Sequence, residues 1–195
     1  MKKTPAITLD TCIFESFGFN VDNMLKRMEP FIKRDFILSE IVVMELKAHY
    51  EVAYGATSRS FANFQKTFTR FSQDQNVMEQ IHNLSDSLRN VKTDGHDSLE
   101  NFIARTNAKV IPFGNITLEY VVNAYFNTAA PFRTGKKKSE FPDAIALYSL
   151  DKWAANNKRR IMAISADNDW AAFAEKHSER WMCVKRIEDA AKGIK

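Results

Sequence analysis

The chain has 195 residues and a net charge of +4, and 45% of its residues are hydrophobic and 27% charged. This length and composition are typical of one globular domain with its own core, and six glycines and five prolines exclude a fibrous or disordered chain. No run approaches the roughly 20 apolar residues that span a bilayer, so we expect no membrane helix. The two cysteines, Cys12 and Cys183, lie in apolar strings, which predicts reduced thiols and a cytoplasmic protein.

The first quarter of the chain shows two short apolar strands, each followed by a helical pattern. The predicted elements are a strand at residues 6–9, a helix at 20–34 that Pro30 interrupts, a strand at 36–38 and a helix from about 40 to 50. Ser39 is a good N-cap for the second of these helices, because its hydroxyl can accept from a free N–H of the first turn. Asp10 stands where the first strand ends.

The middle of the chain, residues 51–108, is predicted to be helical. Four phenylalanines recur at three- and four-residue spacing, as on one face of a helix: Phe61, Phe64, Phe68 and Phe71. A second helix is predicted from Asp74 to about Val91, then a turn at residues 93–97 and a third helix through Ala104. The favoured interpretation of the phenylalanine stripe is an extra helical layer packed on the core. The alternative is a cap or dimer surface that shapes a substrate groove.

The last part of the chain alternates strands and helices. The predicted elements are a strand at residues 109–111, a helix at 116–127, a basic loop at 129–139, a helix at 141–156 with Pro142 at its first position, a strand at 161–164, a helix from about 169 to 176, a strand at 181–184 and a short terminal helix. Such alternation is typical of a parallel sheet covered by helices on both faces.

Five acidic residues are candidates for a site at one edge of this sheet. Ligands of open α/β sheets bind beyond the carboxyl ends of the strands. Asp10 follows the first strand, and Asp167 and Asp169 follow the fourth. Glu45 and Asp143 occupy inward-facing helix positions, where a carboxylate is costly unless it is paired or bound to metal. A hard divalent cation prefers such all-oxygen ligands and would relieve the repulsion between them.

Each acid also has an explanation without a function. Asp10 can be a turn residue after a strand, and Asp143 in a first helical turn is favoured by the helix dipole. Asp167 and Asp169 can form a turn and an N-cap. Glu45 can extend its long side chain out of an apolar face to reach water. The prediction of a functional site therefore depends on the five acids as a set and on their order along the chain.

Other enzyme classes are less well supported by the sequence. A haloacid-dehalogenase-type phosphatase also places an aspartate after its first strand, but it needs a second aspartate where this chain has Cys12. The sequence contains no P-loop and no Gly-x-Gly-x-x-Gly motif. The four histidines show no zinc-ligand spacing with either cysteine.

Four segments, taken together and in this order, resemble the PIN-domain family. They are Leu9-Asp10-Thr11 after the first strand, Ser39 to Leu46 with an embedded acid, Glu140 to Ala146 with Asp-Ala opening a helix, and Ser165 to Trp170 with its Ser-x-Asp-x-Asp-aromatic pattern. The resemblance covers residues 4–50 and 109–187. The string Lys-Lys-Lys-Ser-Glu-Phe-Pro-Asp-Ala is similar to a less-studied PIN-like subfamily rather than to the compact toxins.

The resemblance implies a three-layer α/β sandwich with a mostly parallel central sheet of about five strands flanked by helices. It implies one domain over residues 1–195 with a helical insertion at about 51–108. Carried over by motif, the acidic quartet is Asp10, Glu45, Asp143 and Asp167, with Asp169 as an additional metal ligand and Thr11 and Ser165 as polar supports. Glu140 is either a second-metal ligand or a solvated residue at the helix entry, and we favour the solvated residue.

The function implied is a Mg²⁺- or Mn²⁺-dependent endoribonuclease, acting as a toxin or defence effector or in RNA processing. The partner implied is nucleic acid, with RNA favoured; an inhibitory or assembly protein and a homodimer stay open. The basic run of Arg133, Lys136, Lys137 and Lys138 precedes Asp143 and is interpreted either as a grip on the nucleic-acid backbone or as a solvated loop. The alternative function is a PIN-like module that binds RNA or protein without cutting it.

Overall fold

The computed structural model describes residues 4–18, 20–71, 74–133 and 140–192, without the side chains of residues 91–96. Its elements are β1 (Ala6–Leu9), α1 (Thr11–Ser16), α2 (Val21–Met28), β2 (Ile37–Ser39), α3 (Glu40–Phe68), α4 (Gln75–Thr106), β3 (Lys109–Ile111), α5 (Leu118–Phe126), α6 (Phe141–Asn157), β4 (Ile161–Ile164), α7 (Asn168–Lys176), β5 (Trp181–Val184) and α8 (Ile187–Lys192). Short 3-10 turns at Glu29–Phe31 and Phe113–Asn115 follow α2 and β3.

All strand pairings among the described residues are parallel. Strand β4 lies between β1 and β5, and β2 pairs with β3. An isolated bridge between Ile7 and Phe36, with the Ile7 N–H donating to the Asp35 carbonyl at 2.8 Å, joins the two groups of strands. The expected α/β fold with a mostly parallel sheet flanked by helices is therefore confirmed, in the form of a three-stranded and a two-stranded part.

The core follows from the apolar character of the strands. Every residue of β1 and β4 is buried, as expected for parallel strands covered on both faces. Helix α6 is buried along much of its length and contacts β2 and β3. The large side chains Trp170, Trp181 and Phe173 complete the packing on the side of α7 and β5.

Two short elements near the N-terminus differ from expectation. Helix α1 begins directly after Asp10 and was not predicted, because six residues give too little periodicity to distinguish a helix from a loop. The predicted helix at 20–34 ends as an α-helix at Met28 and continues as a 3-10 turn that contains Pro30. Proline explains this change, since its ring and missing N–H prevent a helix interior from continuing.

The middle of the chain forms a long helical hairpin. Helix α3 continues to Phe68, and α4 is one helix, so the predicted turn at 93–97 is wrong. Gly95 lies inside α4, where a glycine costs only about 1 kcal/mol relative to alanine. An ion pair between Lys47 Nζ and Glu100 Oε1 at 3.0 Å joins the two helices where they meet the sheet. The buried side chains of Leu46 on α3 and Phe102 on α4 attach the base of the hairpin to the core.

The phenylalanine stripe does not belong to the core. Phe64 is 52% exposed and Phe71 is 84% exposed, and Phe64 contacts the rings of Phe61 and Phe68. The favoured interpretation of a layer packed on the core is therefore wrong for this stripe. The hairpin contributes to the core through Phe102 and its neighbour Leu99, near the end of α4. A cap or dimer surface stays a prediction.

Within the described ranges, no helix has both the length and the apolar character required to cross a bilayer.

Candidate active site

Asp10 lies at the carboxyl end of β1 and is only 6% exposed. Strands β1 and β4 pair in register, with Leu9 opposite Ile164, so the residues that follow them are neighbours. The Ser165 hydroxyl donates to Asp10 Oδ2 at 2.6 Å, and the Cys12 thiol donates to the same oxygen at 3.0 Å. Parallel pairing thus places Ser165 beside Asp10.

Glu45 reaches the same edge from α3. The Ser39 hydroxyl caps this helix by accepting from the Ile41 N–H at 3.3 Å, which confirms the predicted N-cap. Glu45 lies in the second turn, and its Oε2 accepts from the Thr11 hydroxyl at 3.0 Å. Thr11 is the first residue of α1 and directly follows Asp10. The two polar residues expected as supports, Thr11 and Ser165, therefore each contact one acid of the quartet.

The remaining acids of the quartet come from α6 and α7. Asp143 lies in the first turn of α6, and its Oδ1 accepts from the indole N–H of buried Trp170 at 3.0 Å. Asp167 is exposed and caps α7, accepting from the Asp169 N–H at 2.6 Å, while its own N–H donates to the Ser165 hydroxyl at 3.0 Å. Asp167 thus has the capping role that its sequence context suggested, at a position beside the other acids.

The electrostatics show that these four carboxylates act on one another. Burial and, to a smaller extent, the negative charges of Asp10, Glu45 and Asp167 together raise the pKa of Asp143 to about 7, against the hydrogen bond from Trp170. Burial also raises the pKa of Asp10 and of Glu45, and each feels the charge of another member of the set. The structure therefore brings all four predicted acids within electrostatic reach at one edge of the sheet.

Cys12 contributes a hydrogen bond that sequence reasoning missed. In the sequence, Cys12 served only to exclude a phosphatase. Its position two residues after Asp10 was the signal from which a contact with Asp10 could have been predicted. Burial raises the pKa of the Cys12 thiol to about 12 and that of Cys183 to about 11. Both cysteines are free, half-buried thiols, as expected for reduced residues, and their raised pKa makes them poor nucleophiles.

Asp169 and Glu140 lie next to the quartet and are held by Arg133. The Arg133 guanidinium forms an ion pair with Asp169, whereas none of the four quartet carboxylates forms an ion pair with another described residue. The Arg133 N–H donates to Glu140 Oε2 at 2.8 Å. Glu140 is only 3% exposed, so its interpretation as a solvated residue is wrong. The other members of the basic run, Lys136, Lys137 and Lys138, lie outside the described residues.

The donor set suits a divalent cation. All four carboxylates offer oxygen, the ligand type that Mg²⁺ and Mn²⁺ prefer, and burial together with neighbouring negative charge raises the pKa of Asp10, Glu45 and Asp143. As they stand, no three histidine, cysteine or acidic side chains in the described part of the chain form a group that could hold a metal ion. The fit therefore rests on donor chemistry and on unbalanced charge, not on a preformed coordination shell.

Comparison with known families agrees with the fold. A family model described as PIN domain matches residues 7–170, which includes all the acids discussed above. No curated protein and no solved structure matches the chain. The match covers most of the chain and begins within β1. The chain therefore belongs to the PIN domain family and has its nuclease-like fold.

Proposed function

We propose that this protein is a metal-dependent nuclease that hydrolyses phosphodiester bonds, and specifically an endoribonuclease. The observation that carries the proposal is the environment of Asp143. Desolvation and three other carboxylates raise the pKa of this half-buried acid, and its one hydrogen-bond donor among the described residues is a neutral indole. Such clustering is unfavourable for folding, and strongly perturbed acids concentrate at functional sites.

The residues that would hold the ion are Asp10, Glu45, Asp143 and Asp167, with Asp169 as a further ligand when Arg133 releases it. A bound Mg²⁺ or Mn²⁺ supplies charge stabilisation and a water of lowered pKa in sites of this kind. The protein side chains position the carboxylates: Thr11 holds Glu45, Ser165 and Cys12 hold Asp10, and Trp170 holds Asp143. No side chain needs to act as a covalent nucleophile.

Arg133 provides a cation at the same edge. Its side chain is half-exposed and pairs with Asp169, so a phosphate of the substrate can replace Asp169 as its partner. Arg133 and Lys136–Lys138 would then hold the nucleic-acid backbone beside the carboxylates. In this proposal the substrate is RNA, the protein acts in the cytoplasm as a toxin or defence effector or in RNA processing, and a partner protein or a homodimer is a further part of the hypothesis.

The second candidate is a PIN-like module that binds RNA or protein without cutting. It is favoured by one observation: within the described residues no three potential ligands already form a group that could hold an ion. The two functions differ in their dependence on metal. A binding module has no reason to require Mg²⁺ or Mn²⁺, whereas a nuclease of this type does not work without one of them.

Incubation of the protein with total RNA tests the proposal. We expect cleavage with Mg²⁺ or Mn²⁺ and none with EDTA. Asp143→Asn preserves the shape of the side chain and removes its charge, so it should slow cleavage at least about 100-fold. The matched control is Asp151→Asn on the same helix, which should cleave like the wild type. Equal rates for Asp143→Asn and the wild type would exclude the mechanism, and binding without any cleavage would favour the non-catalytic module.

A further inference from the structure

A small cavity of about 260 Å³ lies next to the carboxylates. It is bounded by α1 and by the segments that follow β4 and β5, and its lining includes Cys12 and Ala166. Cys12 donates to Asp10, and Ala166 lies between Ser165 and Asp167. Cys12 therefore both lines the cavity and contacts the candidate active site.

The walls of this cavity are largely apolar. Ile13 and Ile187 are buried core residues that form part of its lining. Phe17, at the end of α1, is half-buried and adds an aromatic ring. Small-ligand pockets start at about 300 Å³, so this cavity suits one flat ring system and not a larger molecule. Its lining resembles the stacking platforms on which proteins hold single bases.

The rim of the cavity is positively charged. Lys185 and Arg186 follow β5 and contribute to the lining. Arg186 is paired with Asp189, and the rim acid Glu188 is paired with Arg27 at 2.7 Å. No carboxylate of the described residues forms an ion pair with Lys185. A cation that is not neutralised, set beside an apolar slot, is complementary to a phosphate followed by a base.

From this arrangement we infer that the cavity is a subsite for one unpaired nucleobase of a nucleic-acid strand. The base stacks on Phe17 between Ile13 and Ile187, and the adjacent phosphate contacts Lys185. The inference rests on the proposed function, and it requires an unpaired base, because a base inside a duplex is not free to enter such a slot. Base-specific hydrogen bonds are not needed for this recognition.

Binding of a labelled uridine tetranucleotide tests the subsite, compared with a ribose-phosphate chain of the same length that has no bases. Both are measured with the full-length Asp143→Asn variant in Mg²⁺, so that cleavage does not interfere. We expect the tetranucleotide to bind about 5- to 100-fold more tightly, as stacking of a base on an aromatic ring predicts. Phe17→Leu should remove most of this preference while leaving affinity for the base-free chain unchanged, which also shows that the variant is folded.

Lys185→Gln should weaken binding of both chains alike and reduce the slope of log K against log salt by about 0.7, the value for one phosphate contact on a single strand. Phe126→Leu and Lys176→Gln, at exposed positions on α5 and α7, are the matched controls and should change neither quantity. A base preference that survives Phe17→Leu would overturn the subsite.

The result is separable from the proposed function. Cleavage of total RNA by the wild type, with no effect of Phe17→Leu on the base preference, would exclude the subsite and leave the nuclease proposal standing. A loss of base preference in Phe17→Leu, with no metal-dependent cleavage by the wild type, would support the subsite and exclude the nuclease.

Discussion

Helix α6 carries two aspartates two turns apart, and their surroundings differ in one respect. Each accepts a hydrogen bond from a tryptophan indole, Asp143 from Trp170 at 3.0 Å and Asp151 from Trp181 at 2.8 Å. Asp151 also binds the Arg180 guanidinium through both carboxylate oxygens, at 2.9 and 3.0 Å. Asp143 faces three other carboxylates instead, and its pKa is raised to about 7.

The comparison shows that burial and a hydrogen-bond donor do not distinguish a structural acid from an acid of the site. The distinguishing property is the balance of charge around the carboxylate. A bidentate arginine is the geometry in which a half-buried carboxylate stabilises a fold. A carboxylate that lacks such a partner and lies among other carboxylates lowers stability in the absence of a cation. Its presence therefore indicates a functional role.

The largest expected effect is on stability, and its sign should be opposite for the two residues. In EDTA, Asp143→Asn should raise the free energy of unfolding, by at most about 4 kcal/mol if the whole pKa shift contributes. Asp151→Asn should lower it by about 1–3 kcal/mol, because it weakens a bidentate ion pair. Urea denaturation of both variants provides the measurement. Two changes of the same sign would break the distinction between the aspartates.

The pH dependence of stability should sharpen the same comparison. The pKa of Asp143 rises from 3.8 to about 7 on folding, so between these values the folded protein binds more protons than the unfolded chain. The contribution of Asp143 to the stability of the metal-free protein should therefore be fully present below the lower value and be lost as pH rises through the higher one. Asp10 and Glu45 act in the same direction, so Asp143→Asn should reduce this slope without abolishing it.

Thermal denaturation in EDTA across this pH range measures the slope, and Asp151→Asn is the control that should leave it unchanged. An identical slope in wild type and Asp143→Asn would show that Asp143 is not the acid whose protonation is linked to folding.

The smallest effect concerns the basic run before α6, whose Arg133 pairs with a third aspartate, Asp169. If Arg133 and Lys136–Lys138 hold phosphates, replacing the three lysines by glutamine should weaken binding of all nucleic-acid sequences alike. The slope of log K against log salt should fall by about 0.7–0.9 per lost phosphate contact. Metal affinity should stay the same, because these cations are not ligands. If binding and slope are unaltered, the run is a solvated loop.

Much of the sheet was predictable, because it depends on local features. Strands β1, β3, β4 and β5 have the bounds that their apolar runs predicted, and Ser39 caps α3 as its hydroxyl suggested. The four acids could be placed at one edge because parallel strands end on the same side of a sheet. Their order along the chain then indicated the family, which the family model confirms.

The remaining features depend on contacts between residues distant in sequence. The hydrogen bond from Trp170 to Asp143 spans 27 residues, and no local pattern predicts it. The burial of Glu140, which accepts a hydrogen bond from the Arg133 N–H, has no signal in the local sequence. The continuity of α4 through Gly95 overrides a composition typical of a turn. The exposure of the phenylalanine stripe could not be read from its spacing, since periodicity identifies a helical face but not what covers it.

The hairpin of α3 and α4 also bears on how this domain can vary in size. It is inserted between β2 and β3, which pair directly, so the sheet does not depend on the hairpin's length. Adding or removing one turn in each helix would shift the tip by about 5.4 Å and leave the carboxylate edge untouched. The length of the hairpin thus sets the distance between its tip and the carboxylate edge of the sheet.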